Sequence, residues 1–342
     1  MSLRVESFSG GAGEWDGFVR GQPGWTPFHL FSWKPLIEEL FHHECLYLTA
    51  RDSAGALAGV LPLVRLRSML FGHYLVSMPF VNYGGPLGTD EARRALVAHA
   101  ADVAQADGVS LLELRSRGPQ PIDLPVSHRK ITVVLDLPSE VESLRKQLGS
   151  KLRSQIKRPE KEGVTVAFGP EQVAPFFDVF SRHMRDLGTP TQPRALFRGI
   201  AERFGDEAWF GCAWHQGRPV AAGAGFRWGQ EFEMTWASSL YAYNRIAPNM
   251  LLYCSFMERA IRLGVTLFNF GRCTPNEGTH HFKRQWGSRD EQLWWYQRSA
   301  SGEATSTPSP NQGVYALGVR LWQRLPLPVA TALGPRIVRG IP

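Results

Sequence analysis

Apolar and polar positions along the first half of the chain switch between two periods. Residues 32–41 carry apolar side chains at helical spacing and residues 45–50 run at strand spacing, so a short amphipathic helix followed by a strand is expected. Segments 58–66 and 74–78 read as the arms of a β-hairpin, which leads into a loop rich in Gly, Pro and aromatic residues over 79–88. A clear helix follows, expected to be capped by Asp90. Its apolar face runs through Ala95, Leu96, His99 and Val103, and it stops at Gly108. A strand over 109–114 closes the unit.

The second half repeats this order. Strands are expected over 208–214, 220–228 and 232–237, then an aromatic loop over 238–247. A helix follows with Pro248 in its first turn, Leu252, Phe256 and Ala260 on one face and Gly264 at its stop; a strand over 265–270 comes last. Gly108-Val109 and Gly264-Val265 join helix to strand in the two halves, and Arg115 and Arg272 lie near the two strand ends. The order implies a duplicated α/β unit.

Between the halves a helix is expected over 139–157. Ser139 and Glu142 have capping-box spacing, and Leu144, Leu148, Leu152 and Ile156 recur every fourth residue. Arg145, Lys146, Lys151, Arg153, Lys157 and Arg158 fall mostly on the other faces, and Pro159 and Gly163 are expected to end the helix. Two further helices are expected over about 173–187 and 194–204.

Length and composition set the scale. A chain of 342 residues fits two domains, and 43% hydrophobic residues with 11 Trp and 20 Phe provide for real cores. The net charge of +7 favours an anionic partner: a nucleotide- or lipid-linked precursor, a charged tRNA or an acidic membrane surface. No apolar run is long enough to span a bilayer, and the first residues lack a signal-peptide pattern, so a cytoplasmic protein is expected. Cys45, Cys212, Cys254 and Cys273 are scattered without metal-like spacing and read as reduced thiols. Beyond residue 299 a linker-like stretch precedes a segment of apolar residues and arginines without acids. That segment is expected either to pack on the body or to lie on the cytoplasmic face of the inner membrane with Trp322 at the interface.

The densest chemistry lies in residues 271–287, GRCTPNEGTHHFKRQWG, directly after the last strand of the second unit. In open α/β sheets, ligands gather beyond the carboxyl ends of strands. There Lys283 is suited to stabilise an oxyanion or phosphate, and Arg272 to pair with a carboxylate or phosphate. His280 and His281 are adjacent, so their side chains diverge and no metal is expected. Either remains a candidate base. Arg153, Lys157 and Lys161 form a row suited to phosphates, although solvated helix faces commonly look the same. The loop holding Asn82 and Tyr83 and that holding Tyr241, Tyr243 and Asn244 are suited either to line a cleft or to cover the sheet. A Walker loop, a GxGxxG motif and a nucleophile elbow are all absent from the sequence.

At LRSQIKRPEKEGV (152–164), HMRDLGTP (183–190), the helix entry over 241–264 and FNFGR…GTHHFKRQWG (268–287), the sequence resembles the FemAB family, and within it the branch associated with PEP-CTERM and exosortase systems. The resemblance runs over residues 25–297. It implies two tandem GNAT-like domains, each a mixed central sheet flanked by helices: 1–138, then 139–299 opened by the basic helix, with 300–342 as linker and basic amphipathic tail. It further implies transfer of an acyl or aminoacyl group to an amine of a cell-envelope or exopolysaccharide precursor, from acyl-CoA or aminoacyl-tRNA. By match to the family's FK…G segment, Phe282 and Lys283 lie at the transfer site, with Lys283 as electrophilic stabiliser. Arg153 and Lys157 take a polyanion-binding role; His281, Tyr243 and Glu277 are candidate bases. The long coiled-coil arm of some Fem proteins and a Q/RxxGxG pyrophosphate motif are both missing, so the donor stays open. A non-catalytic scaffold that holds polyanions of exopolysaccharide assembly is the alternative; no DNA partner is expected.

Overall fold

The computed structural model describes residues 3–68, 71–299 and 314–341. The chain forms two compact units. The first comprises residues 1–130, 292–307 and 339–342, and the second 131–291 and 308–338.

The first unit opens with β1 (Arg4–Ser7), α1 (Ala12–Arg20) and α2 (Trp33–Phe41). It continues through β2 (Glu44–Arg51), β3 (Leu57–Ser68), β4 (Gly72–Val76), β5 (Leu87–Gly88), α3 (Asp90–Ala106), β6 (Leu111–Ser116) and β7 (Val126–Ser127). Strands β1 to β4 are antiparallel neighbours, while β6 runs parallel to β4. Helix α3 packs Ala92, Leu96, Ala100 and Ala104 on this sheet, beneath Leu61, Leu63, Leu75 and Leu112. Its cap is Thr89, whose hydroxyl accepts from the Ala92 amide at 3.2 Å, and Asp90 is the first helical residue.

The second unit contains β8 (Ile131–Asp136), α4 (Val141–Gln147), α5 (Ser150–Lys161), β9 (Thr165–Phe168), α6 (Val173–Leu187), α7 (Arg194–Phe204), β10 (Ala208–His215), β11 (Arg218–Trp228), β12 (Glu231–Ser239), α8 (Pro248–Arg262), β13 (Leu267–Cys273), α9 (Gly278–Arg284) and β14 (Arg289–Gln292). Its sheet order is β14-β8-β13-β12-β11-β10-β9, with β12 and β13 running parallel. The succession of three antiparallel strands, a helix and a parallel strand occurs in both sheets, which establishes the duplication.

Each sheet is completed by a strand from beyond its own half of the sequence. β8 pairs antiparallel with β13, and β15 (Trp294–Ser299) pairs antiparallel with β6. The division therefore differs from the contiguous one expected at 138/139 and 299/300. Ile131 and Val133 of β8 are buried in the core of the second unit, and Tyr296 of β15 in that of the first, so burial of these short strands fixes where they belong.

The basic helix expected over 139–157 is two helices. Leu148 is extended and Gly149 caps α5, a break that lets Leu144, Leu148, Leu152 and Ile156 all reach the core. Glu140 rather than Ser139 is the N-cap of α4, without a side-chain cap bond. Pro159 lies inside the last turns of α5, and the chain turns at Gly163, whose φ is +76°. The tail forms α10 (Val314–Gln323) and α11 (Leu327–Val338), both packed on α6.

Candidate functional site

The two parallel strands of the second unit part company. β12 and β13 pair only from Glu231↔Leu267 to Glu233↔Asn269, although β12 continues to Ser239 and β13 to Cys273. Beyond that point β12 stays with β11 as far as Ala221↔Ser239. β13, paired with β8 from Leu267↔Asp136 onward, stays with β8 through Arg272↔Thr132 and Cys273↔Ile131, across an irregularity between Asn269 and Arg272. Gly271, at φ +72°, supplies the left-handed backbone that makes the kink. The facing edges of the two strands then have no shared ladder, and an extended ligand is the natural partner for such edges.

A buried polar cluster holds the split. Asn269, wholly buried, donates to Glu231 at 2.9 Å and to Glu233 at 3.3 Å. Its carbonyl oxygen accepts from the Thr132 hydroxyl at 2.6 Å and from the Gly271 amide at 2.8 Å. One side chain thus ties β8, β12 and the kinked β13 together. Sequence reading passed over these residues. The available signal was Glu231-Phe232-Glu233, two acids at strand spacing on one face of an otherwise apolar strand.

Lys283 sits on α9 and is 4% exposed. Its ammonium donates to the carbonyls of Gly271 at 2.7 Å and Arg272 at 2.9 Å, which braces the kink from the other side. Burial lowers its pKa to about 8. Two of its three hydrogens are engaged, leaving one for a ligand. On the same helix, His280 accepts from the Asn276 amide at Nδ1 and meets the Asp290 carboxylate at 3.0 Å through Nε2. It fixes α9 to β14. His281 is exposed, and the half-buried Phe282 packs edge-on to Tyr253 at 5.0 Å. Arg272 is half-buried at the end of β13.

After β12 the loop 240–247 leads into α8. Tyr241 is 49% exposed and edge-on to His183 at 5.7 Å; Tyr243 is half-buried and edge-on to His215 at 5.9 Å. Arg158 of α5 donates to the Arg245 carbonyl at 3.3 Å, so the basic helix borders this loop. Arg153 and Lys157 are both exposed, and the Arg153 guanidinium folds back onto the Leu148 carbonyl. Together with Arg145 and Lys146 they line a groove of about 540 Å³ over Leu148 and Ile156. Arg153 and Lys157 also line, with Arg158 and Lys161, a second hollow of about 420 Å³ along α5. Tyr83 belongs to the first unit, where it is 1% exposed and packs on Phe28 at 5.7 Å, a core position. Of the residues singled out from sequence, Lys283, Arg272, Phe282 and His281 gather around the end of β13; Tyr241 and Tyr243 lie on the loop after β12, and Arg153 and Lys157 on α5.

Residues 144–284 match the acetyltransferase (GNAT) domain family. No curated protein sequence matches the chain. Among solved structures, the chain resembles FemX, with 14% identity and a TM-score of 0.63 over 85% of this chain and 97% of that one. It also resembles the C-terminal domain of a putative lysylphosphatidylglycerol synthetase from Agrobacterium fabrum, with 12% identity and a TM-score of 0.57 over 85% and 92% of the two chains. L-PGS from Bacillus licheniformis follows at 12% identity and a TM-score of 0.54, over 91% and 97%. The protein has a tandem GNAT fold. Within that class the fold is FemAB-like.

Proposed function

We propose that the second unit transfers an activated acyl or aminoacyl group onto an amine of an anionic cell-envelope or exopolysaccharide precursor. The observation that carries this reading is the split between β12 and β13, locked by Asn269 and braced by Lys283, within the segment that matches a GNAT acetyltransferase domain. The open strand edges suit the extended arm of a donor. The adjoining α8 N-terminus and the arginines and lysines of α5 suit its phosphates. The GNAT match favours an acyl-CoA donor. The resemblance to structures named for FemX and for lysylphosphatidylglycerol synthesis favours an aminoacyl one.

In the transfer the acceptor nitrogen attacks the donor carbonyl carbon, the bond to the donor's sulfur or oxygen breaks, and the amine loses a proton. The remaining hydrogen of Lys283 would meet the developing oxyanion. His281, Tyr243 and Glu277 are the candidate bases. The alternative of a polyanion-binding scaffold is favoured by one feature: Lys283 already spends two hydrogens on backbone carbonyls.

Thermal unfolding against acyl-CoAs, charged and uncharged tRNAs and nucleotide-linked sugars separates the readings. A donor at about 100 times its dissociation constant stabilises by about 2.7 kcal/mol. The transferase reading requires stabilisation by one donor class, followed by acyl transfer to amine acceptors that Lys283→Met abolishes. Stabilisation by sugars alone, without transfer, would establish the scaffold.

A further inference from the structure

We infer that the α10–α11 hairpin is a docking surface for an anionic lipid bilayer. Helical positions spaced i, i+3, i+4 and i+7 share a face. On α10 these positions are Leu317, Arg320 and Leu321, with Arg324 in the turn directly after the helix, and on α11 they are Val329, Ala332, Leu333 and Arg336. All eight are exposed. Leu317 and Leu321 expose 59% and 58% of their surface, and Val329 and Leu333 about 40%. The opposite sides of the helices hold the body of the second unit. Val319 lies against Gly188, Gly334 against the Thr191 backbone, and Ala330 and Val338 are buried; Arg185 of α6 donates to the Leu325 carbonyl at 3.0 Å. The hairpin is therefore seated on the protein by one side and turns an apolar, arginine-bearing side outward. Trp322 is half-buried, so the outward contacts fall to Leu317 and Leu321 instead.

Charge selects the occupant. No acidic residue occurs between Glu303 and the end of the sequence, and Asp186, whose carbonyl accepts from Gln323 of α10, has its carboxylate paired with Arg185. A second copy docked symmetrically by this face would set arginine against arginine with no acid to compensate. Leucines interspersed with arginines match instead the boundary of a bilayer, where acyl chains take the leucines and lipid phosphates the guanidinium groups. Such a surface would hold the chain where lipid-linked acceptors lie, independently of which donor the site uses.

Vesicle co-sedimentation tests the inference. The full chain should bind phosphatidylglycerol-containing vesicles and not pure phosphatidylcholine vesicles, with binding weakened by salt. Each arginine near an anionic surface contributes about fivefold in partitioning, so Arg320→Gln/Arg324→Gln should bind on the order of 25-fold more weakly. Leu317→Gln/Leu321→Gln should also lose binding, and both variants should keep the wild-type thermal unfolding. The four native cysteines are buried, so an environment-sensitive dye on Leu321→Cys reports this face alone, and its emission should shift to the blue on anionic vesicles. Vesicle binding that survives both variants but falls in Arg153→Gln/Lys157→Gln would overturn the inference, as would a dye that does not respond. Sedimentation showing a dimer that Leu317→Gln/Leu321→Gln dissolves would assign the face to a second copy. Retention of tRNA through Arg320 and Arg324, without vesicle binding, would assign it to RNA.

Discussion

Replacement of Lys283 by Met isolates the energetics of a buried amine in the candidate site. The folded pKa of about 8 lies below the ordinary 10.5, so between these values the unfolded chain holds a proton that the folded chain has released. Stability must therefore rise with pH across this window, and below pH 8 both states are charged and the slope vanishes. A depression of that size makes wild-type unfolding about 2.5 kcal/mol more costly at pH 10 than at pH 7 through this group alone. The Met variant lacks the gain. It also leaves the Gly271 and Arg272 carbonyls without this donor, a loss of about 1–3 kcal/mol that does not depend on pH. Urea unfolding of both proteins, followed by tryptophan fluorescence at pH 7, 8, 9 and 10, separates the two effects, because all other titrations cancel in the difference. The expected difference widens by about 2.5 kcal/mol towards pH 10. A difference that stays constant would show that Lys283 titrates normally and that burial does not govern its charge.

Other perturbations reach the same framework. Asn269→Ala removes the bridge between Glu231, Glu233, Thr132 and Gly271 and should cost about 3 kcal/mol or more, a fall in Tm of roughly 6–12 °C in a calorimetric scan. His29, with its pKa lowered to about 4 by burial, is neutral when folded, whereas the unfolded chain protonates near 6.5; stability should fall by about 2 kcal/mol from pH 7.5 to pH 5, and His29→Gln should flatten that slope in urea titrations. Thr89→Ala removes the α3 cap and should cost about 1 kcal/mol, with Thr89→Ser retaining it, as measured by thermal unfolding.

The regular elements were legible because their residues repeat at the period of the structure. The β10–β11–β12 succession, α8 with Pro248 at its start and the duplicated order all follow from hydrophobic spacing and glycine stops. The completing strands were not legible. β8 and β15 are short and leave no mark of which sheet they join, since that is decided by long-range pairing with β13 and β6. The break at Gly149 escaped because the every-fourth-residue leucine pattern continues unbroken across it. In the site, Lys283 stood out as a cation in a polar segment, but its commitment to two carbonyls depends on the Gly271 kink. Asn269 was hidden because its role arises only when three strands meet.

The duplication also decides how many donors the chain should bind. In the first unit β4 and β6 start as the second unit's pair does, with three parallel pairs from Tyr74↔Leu111 to Val76↔Glu113. There the split is filled by the chain itself. The Ser77 amide donates to the Glu113 carbonyl at 2.9 Å, the Ser77 hydroxyl accepts from the Arg115 amide at 2.7 Å, and the Gly84 amide donates to the Arg115 carbonyl at 3.0 Å. Met78 and Phe80 adopt positive φ to make this course, a strain accepted only where surrounding contacts enforce it. Arg115, 2% exposed, pairs with Glu113 at 2.7 Å and stacks over Trp295. A donor entering the first unit would have to expel residues 77–84 and leave that buried pair uncovered, whereas β12 and β13 already stand apart. Titration calorimetry with the donor found by thermal unfolding should therefore give one site per chain, abolished by a block of the second unit such as Gly271→Val. Two equivalent sites would refute the assignment of the second unit as the sole donor site.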